Sequence, residues 1–138
     1  MSGLFDKTTN SLGAAINFRD LKQNVISTNI ANAETPGFKA KKMDFEEALS
    51  RAVDIHGLGK MSVDHADHVP VNGSSIEGVS ADVYENPDVT VTNDGNTVDL
   101  EREMAELNEN TILYKAAIQM INKKLAGLAY AASDGGGR

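Results

Sequence analysis

Two stretches of this chain, one near each end, repeat apolar or small residues at helical spacing. The longer stretch spans residues 100–132 and alternates steps of four and three, which is the seam of a helix that packs along another helix. Its members are Leu100, Met104, Leu107, Thr111, Tyr114, Ile118, Ile121, Leu125, Leu128 and Ala132. The pattern predicts a continuous helix of roughly 50 Å, with Asp99 as its cap.

The two halves of this predicted helix differ in how much of their surface is apolar. Up to Asn110 one face is apolar and the rest is acidic, so one partner helix would cover it. From Ile112 onward the helix is apolar nearly all round, because Leu113, Ala116, Ala117, Met120, Ala126, Ala129 and Ala131 widen the seam. Such a helix needs several neighbours, and a chain this short supplies too few. The sequence therefore predicts assembly with other copies or other proteins.

We expect the core of this assembly seam to consist of Leu107, Tyr114, Ile118, Ile121, Leu125 and Leu128. A membrane span is the rival interpretation of the same apolar stretch. Lys115, Lys123 and Lys124 argue against a span, since a central Lys costs about 2.5–3.5 kcal/mol to insert.

The N-terminal stretch predicts a second, shorter helix over residues 11–33. Its seam consists of Ala14, Phe18, Leu21, Val25, Thr28 and Asn32. Two amphipathic helices that close a small bundle remain an alternative to assembly. The predicted fold is mainly α, a long antiparallel, coiled-coil-like pair of terminal helices with a short helix and a small irregular or β insertion. We divide this one domain into residues 1–42, 43–97 and 98–138.

A sharp stop ends the N-terminal helix. Pro36 disfavours helical geometry at the residue before it, and Pro-Gly at the centre of a turn favours type II with positive φ at Gly37. Asn29 and Asn32 can hydrogen-bond backbone groups freed at the helix end. Phe38 then needs cover, most simply from the preceding helix.

The middle of the chain predicts a short helix and a small β element. Residues 43–53 favour a helix that starts at Asp44, and residues 54–78 contain the glycines and proline of a long loop. Residues 82–85 and 89–92 alternate well enough for two strands around a turn at residues 86–88.

Composition removes several classes of function. The 138 residues include no Cys, so disulfides, thiolate metal sites and catalytic thiols are excluded. The net charge of −7 is concentrated in residues 43–97, which carry two basic and eleven acidic side chains. This acidic middle argues against a nucleic-acid partner. Residues 1–7 lack the basic start and apolar run of a secretory signal.

One cluster has side chains of the metal-ligand type. His65 and His68 could share a helix face, with Asp64 or Asp67 completing a zinc site; a solvated polar loop is the alternative. Residues 86–96 lack the order of an EF-hand, and residues 57–60 lack the full pattern of a phosphate loop. The sequence therefore predicts no catalytic site, no cofactor and no metal.

Residues 29–39, Asn-Ile-Ala-Asn-Ala-Glu-Thr-Pro-Gly-Phe-Lys, resemble the N-terminal signature of the rod, hook and hook-associated proteins of the bacterial flagellum. Residues 96–104 are similar to that family's entry into its C-terminal helix. Residues 43–49 and the short length make the resemblance stronger to proximal rod proteins than to the longer members. The signature positions are Asn29, Asn32, Thr35, Pro36, Gly37 and Phe38.

The resemblance implies a structural subunit of the proximal rod, part of the torque-transmitting drive shaft and needed for flagellum assembly and motility. It places the chain in the basal-body rod within the periplasmic space, after type III export without a cleaved signal peptide. The implied partners are its own copies, other rod proteins, and membrane-ring and export-gate components. A soluble coiled-coil adaptor and a metal-dependent enzyme at His65 and His68 are the rival hypotheses.

Overall fold

A computed structural model describes residues 7–57 and 81–134 of the chain. The elements in order are α1 (Lys7–Ala31), β1 (Lys41–Met43), α2 (Phe45–Gly57), β2 (Val83–Glu85) and α3 (Leu100–Asp134). The predicted fold class is confirmed, because two long terminal helices are joined by a short helix and a small two-stranded sheet. The predicted N-terminal helix begins four residues earlier than expected, at Lys7.

The two long helices, α1 and α3, pack antiparallel. Asn29 contacts Glu103 and Arg19 contacts Asn110, so positions that rise along α1 meet positions that fall along α3. Since α3 has 35 residues and α1 has 25, the last turns of α3 project past the first described residue of α1, by about 15 Å.

The start of α3 is fixed by a side-chain cap. The amide of Arg102 donates to Asp99 Oδ1 at 3.1 Å, which satisfies one of the free amides of the first turn. Glu101 and Glu103 lie in that turn, where the helix dipole favours negative charge. The predicted cap is therefore confirmed.

The apolar core lies between α1, β1 and α2, and α3 contributes none of its members. Phe18 of α1 and Phe45 of α2 are its large side chains, and Ala48 at the centre of α2 is completely buried. The remaining members are Ala14, Met43, Ala52 and Ala81. The packing of α3 against α1 therefore rests on other contacts.

The small sheet pairs different strands from those expected. β1 and β2 are antiparallel, with Lys41 opposite Glu85 and Met43 opposite Val83. The prediction of a strand over residues 89–92 is wrong. The amide of Thr92 donates to the Asn96 carbonyl at 2.9 Å. This amide is therefore not available for a hydrogen bond to a neighbouring strand.

Candidate assembly surface and the turn junction

The turn that follows α1 has the predicted geometry. The amide of Phe38 donates to the Thr35 carbonyl at 3.2 Å, and Gly37 has a φ of 71°. Positive φ at the third position is what a type II turn requires, and glycine adopts it without steric cost. Thr35 and Pro36 are exposed, so the tip of the turn faces solvent.

A second turn, closed by a hydrogen bond from the Gly95 amide to the Thr92 carbonyl, packs directly against the first, and we call the pair (residues 35–38 and 92–97) the turn junction. The amide of Gly37 donates to the Asp94 carbonyl at 3.0 Å, and that of Thr97 donates to the Phe38 carbonyl at 3.1 Å. Gly95 has a φ of 80°, and a Cβ added to it would lie 3.6 Å from the Gly37 Cα. The structure thus brings the two flagellar-like sequence blocks together.

Asn96 closes the end of α1 from across the turn junction. Its Nδ2 lies 2.9, 3.0 and 2.8 Å from the carbonyl oxygens of Asn32, Ala33 and Thr35. Its Oδ1 accepts from the Val98 amide at 2.7 Å. The side chain is buried, so a single amide holds three backbone carbonyls together where the helix stops, two of which also accept backbone hydrogen bonds of the turn.

Asn29 ties three segments together rather than capping its own helix as expected. Its Nδ2 donates to the Lys41 carbonyl at 2.7 Å and to Glu103 Oε1 at 2.9 Å, and its Oδ1 accepts from the Lys41 amide at 2.9 Å. Burial raises the pKa of Glu103, while the hydrogen bond from Asn29 acts in the opposite direction. Asn29 therefore links α1 to β1 and to α3.

The other two signature side chains have more local roles. Asn32 Nδ2 donates to the Thr28 carbonyl at 2.8 Å, which is the helix-end contact expected of it. Phe38 is half-buried and is not a member of the apolar core. Its backbone takes part in the turn junction, because its amide donates to the Thr35 carbonyl and its carbonyl accepts from the Thr97 amide. The sequence pattern did not indicate these backbone contacts.

The face of α3 that meets α1 is partly polar. Glu103, Asn110 and Ala117 are buried along it at intervals of seven residues. Asn110 Nδ2 donates to the Arg19 carbonyl and to Gln23 Oε1, both at 2.9 Å. We call the face formed by Glu103, Leu107, Asn110, Tyr114, Ala117 and Ile121 the inner face.

The predicted assembly-seam residues divide between this face and its edges. Leu107, Tyr114, Ile118, Ile121 and Leu128 are half-buried, whereas Leu125 is 40% exposed. Leu100 and Met104, which the sequence placed in the same seam, are exposed. A role of the seam residues in assembly stays a prediction.

A second apolar strip runs along the side of α3 turned away from α1. Its most exposed members are Ile112, Met120 and Tyr130, with 67%, 60% and 70% of their surface accessible. We call the set Ile112, Leu113, Ala116, Met120 and Tyr130 the outer stripe. The sequence indicated it, because apolar residues surround the second half of this helix.

Sequence reasoning missed the buried asparagines Asn96 and Asn110. Asn110 could have been found from its spacing, because it lies three residues after Leu107 and four before Tyr114. This spacing predicts a position on the same face of the helix as those two residues. No comparable local signal exists for Asn96, since the three carbonyls that its Nδ2 contacts are more than sixty positions away in the chain.

The metal hypothesis and the membrane alternative concern other parts of the chain. His65 and His68 lie outside the described residues, as do Asp64 and Asp67. Within residues 7–57 and 81–134, no group of three His, Cys, Asp or Glu side chains is placed to hold a metal ion. None of the helices in these ranges combines the length and apolar character that crossing a membrane requires.

Comparison with known proteins finds a family whose match includes the first turn of the turn junction. The family described as "Flagella basal body rod protein" matches residues 10–39. The flagellar basal body rod protein FlgB of Aeromonas hydrophila is 36% identical over 124 residues, which cover 90% of this chain and 91% of that protein. The FlgB of Bacillus subtilis is 33% identical over 125 residues, 91% of this chain and 92% of that protein.

A third relative matches over a shorter part of the chain. The FlgB of Cereibacter sphaeroides is 36% identical over 114 residues, 83% of this chain and 84% of that protein. These matches confirm the predictions of a structural rod subunit located in the flagellar basal body and of a chain that is not an enzyme. The chain belongs to the FlgB family of flagellar basal body rod proteins.

Proposed function

We propose that this chain builds the proximal part of the rod, and that the outer stripe is the surface by which it packs against neighbouring rod subunits. The observation that carries the proposal is the exposure of Ile112, Met120 and Tyr130 on one helix. Exposed apolar side chains on one side of a helix favour an interaction site there.

The energetics of burial favour such contacts. Covering a side chain such as Ile112 or Met120 completely is worth about 1.5–3 kcal/mol. The first half of α3 exposes Leu100 and Met104 among acidic side chains such as Glu101 and Glu109, whereas residues 112–133 contain no Asp or Glu. A neighbouring helix therefore fits best between residue 112 and the end of α3.

The mechanical role follows from this arrangement. Each subunit presents a long helix pair, and side-by-side packing of such pairs makes a shaft in which many subunit contacts resist twisting. Within each subunit, the turn junction holds the start of α3 against the end of α1. Torque would then pass through both the hydrogen-bonded junction and the apolar contacts between subunits.

The proposed partners are second copies of the chain, other rod proteins, and the membrane-ring and export-gate components at the base of the rod. The proposed location is the periplasmic part of the basal body, reached by type III export without a cleaved signal peptide. The family resemblance supports each of these assignments.

The test introduces a charge into the outer stripe. Met120→Asp would bury an unpaired carboxylate between subunits, which is strongly unfavourable, so we expect motility and rods in the cell envelope to be lost. The matched control is Asn122→Asp, which adds the same charge at an exposed position outside the stripe. Immunoblots should show equal amounts of both variants. Normal swimming of the Met120→Asp strain would contradict the proposal.

A further inference from the structure

The buried side chain of Asn110 is satisfied entirely by one stretch of α1. Its Nδ2 donates to the Arg19 carbonyl and to Gln23 Oε1, and its Oδ1 accepts from Arg19 Nη1 at 3.2 Å. The side chain is 2% exposed, so it has no access to water that could replace these partners. Its hydrogen bonds therefore depend on which residues of α1 lie opposite it.

Two helices with a seven-residue repeat can also pair one repeat out of register. A shift in one direction would place Ile26 and Ile30 opposite Asn110, and a shift in the other would place Leu12 and Ile16 there. All four are aliphatic and offer no side-chain acceptor or donor. In either shifted pairing the Asn110 amide keeps at most a backbone carbonyl as a partner and is buried without both of its side-chain partners, which is unfavourable.

The α1 side of this contact is held in place by α2. The Arg19 guanidinium lies 4.0 Å above the centre of the Phe45 ring, and Phe45 is part of the apolar core. This contact holds the Arg19 side chain in place, so it would not move with Asn110 if α3 shifted along α1. The contact fixes α3 relative to the α1–α2 unit as well as to α1.

The contact between Glu103 and Asn29 is a second polar pair across the helices, and it disfavours only one of the two shifted registers. Glu103 meets Asn29 in the observed pairing, and a shift would bring it opposite either Pro36 or Lys22. Lys22 would supply an opposite charge, so Glu103 tolerates one of the two shifts. In both shifts, by contrast, the buried amide of Asn110 loses its side-chain partners.

We infer that Asn110 is a positioning residue that, together with the turn junction, fixes the register of α3 on α1 and disfavours pairings displaced by seven residues. A single buried asparagine in a helix seam is known to specify register at some cost in stability. The register sets how far the last turns of α3 project past α1, and hence where the outer stripe lies along the molecule. The inference concerns the isolated chain and does not depend on the proposed assembly.

Pairs of introduced cysteines can measure the register, since the chain has no Cys of its own. Asn29→Cys with Glu103→Cys reports the observed pairing, because these two side chains meet at 2.9 Å and neither is a partner of Asn110. Lys22→Cys with Glu103→Cys, and Pro36→Cys with Glu103→Cys, report the two shifts. Each pair is introduced into the dilute purified monomer, alone and combined with Asn110→Leu or with Asn110→Ala.

With Asn110 intact, we expect disulfide formation within the monomer only for the pair that reports the observed register. Either substitution of Asn110 should raise the yield of at least one shifted pair about tenfold or more. Asn108→Leu, the same change at an exposed position of α3, should leave the yields unchanged.

Two results would overturn the inference. One is a shifted-pair yield that stays at background in both Asn110 variants while circular dichroism shows that they are folded. The other is loss of folding in both variants, which would assign Asn110 to stability rather than to register.

Discussion

At the scale of single residues, buried amides connect parts of the chain that are far apart in sequence. Asn29, Asn96 and Asn110 are the largest fully buried side chains in the described part of the chain, and each is hydrogen-bonded to another segment. A buried amide contributes to stability only while its partners are present, and losing one partner costs about 1–3 kcal/mol. These contacts therefore favour one arrangement of the segments over others.

The turn junction makes a prediction about Gly37. A Cβ at this position meets nothing within 4 Å, so a substitution is opposed by the positive φ and not by crowding. Gly37→Val should lower the free energy of unfolding by at least about 1–2 kcal/mol, measured by denaturant titration. Gly13→Ala, in open space within α1, should raise it by up to about 1 kcal/mol. Equal stability of the Gly37→Val variant and the unmodified chain would contradict the turn geometry.

Glu103 makes a prediction about pH. Its pKa is raised by burial, and the groups near it are Asn29 on α1 and Arg102, Glu106 and Asp99 around its own helix start. Between the pKa of Glu103 in the unfolded chain and its raised pKa in the folded chain, the folded chain binds more protons than the unfolded chain. The free energy of unfolding therefore falls as the pH rises through this window.

The measurement is the free energy of unfolding from about pH 4 to about pH 8. Glu103→Gln should remove this part of the decline, while Glu101→Gln removes the same charge from an exposed position and should leave the decline in place. A decline that is unchanged in the Glu103→Gln variant would mean that Glu103 does not cause it.

At the scale of elements, the sequence predicted the helices better than the faces by which they meet. The spacing through residues 100–132, together with Asp99, predicted α3 and its start. Two four-and-three series overlap in this helix, one through Leu100 and Met104 and one through Glu103 and Asn110. The first is the more apolar, yet the structure buries the second, because Asn29 and Arg19 on α1 supply polar partners.

The β element could not be predicted fully for a similar reason. Residues 82–85 were recognised as a strand, but their partner is β1, which lies about forty residues earlier in the chain. Alternation in residues 89–92 suggested a nearer partner, whereas Thr92 bonds the Asn96 carbonyl in the turn junction. Distant partners decide both outcomes, and local patterns carry no information about them.

The two halves of α3 should differ in hydrogen exchange. In dilute monomer, amides near Asn110 should exchange most slowly within α3, because they lie on the hydrogen-bonded part of the inner face. Amides of residues 125–134 should exchange at rates near those of an isolated helix, which gains little stability without packing. Slow exchange through residue 134 in a proven monomer would show that the end of α3 is stable without neighbours.

At the scale of the whole molecule, two kinds of contact have different roles. Polar contacts at the turn junction and along the inner face organise the subunit, and we propose that the exposed outer stripe binds neighbours. This division explains how a chain with a small apolar core can present a long helix whose second half is apolar on its exposed side.

The most direct test of this central claim is the reactivity of a thiol placed in the outer stripe. Met120→Cys introduces the only thiol of the chain, and its rate of alkylation can be measured in the monomer and in isolated basal bodies. We expect rapid alkylation in the monomer, strong protection in basal bodies, and recovery of the rapid rate when basal bodies are denatured. Alkylation at equal rates in the monomer and in intact basal bodies would contradict this claim.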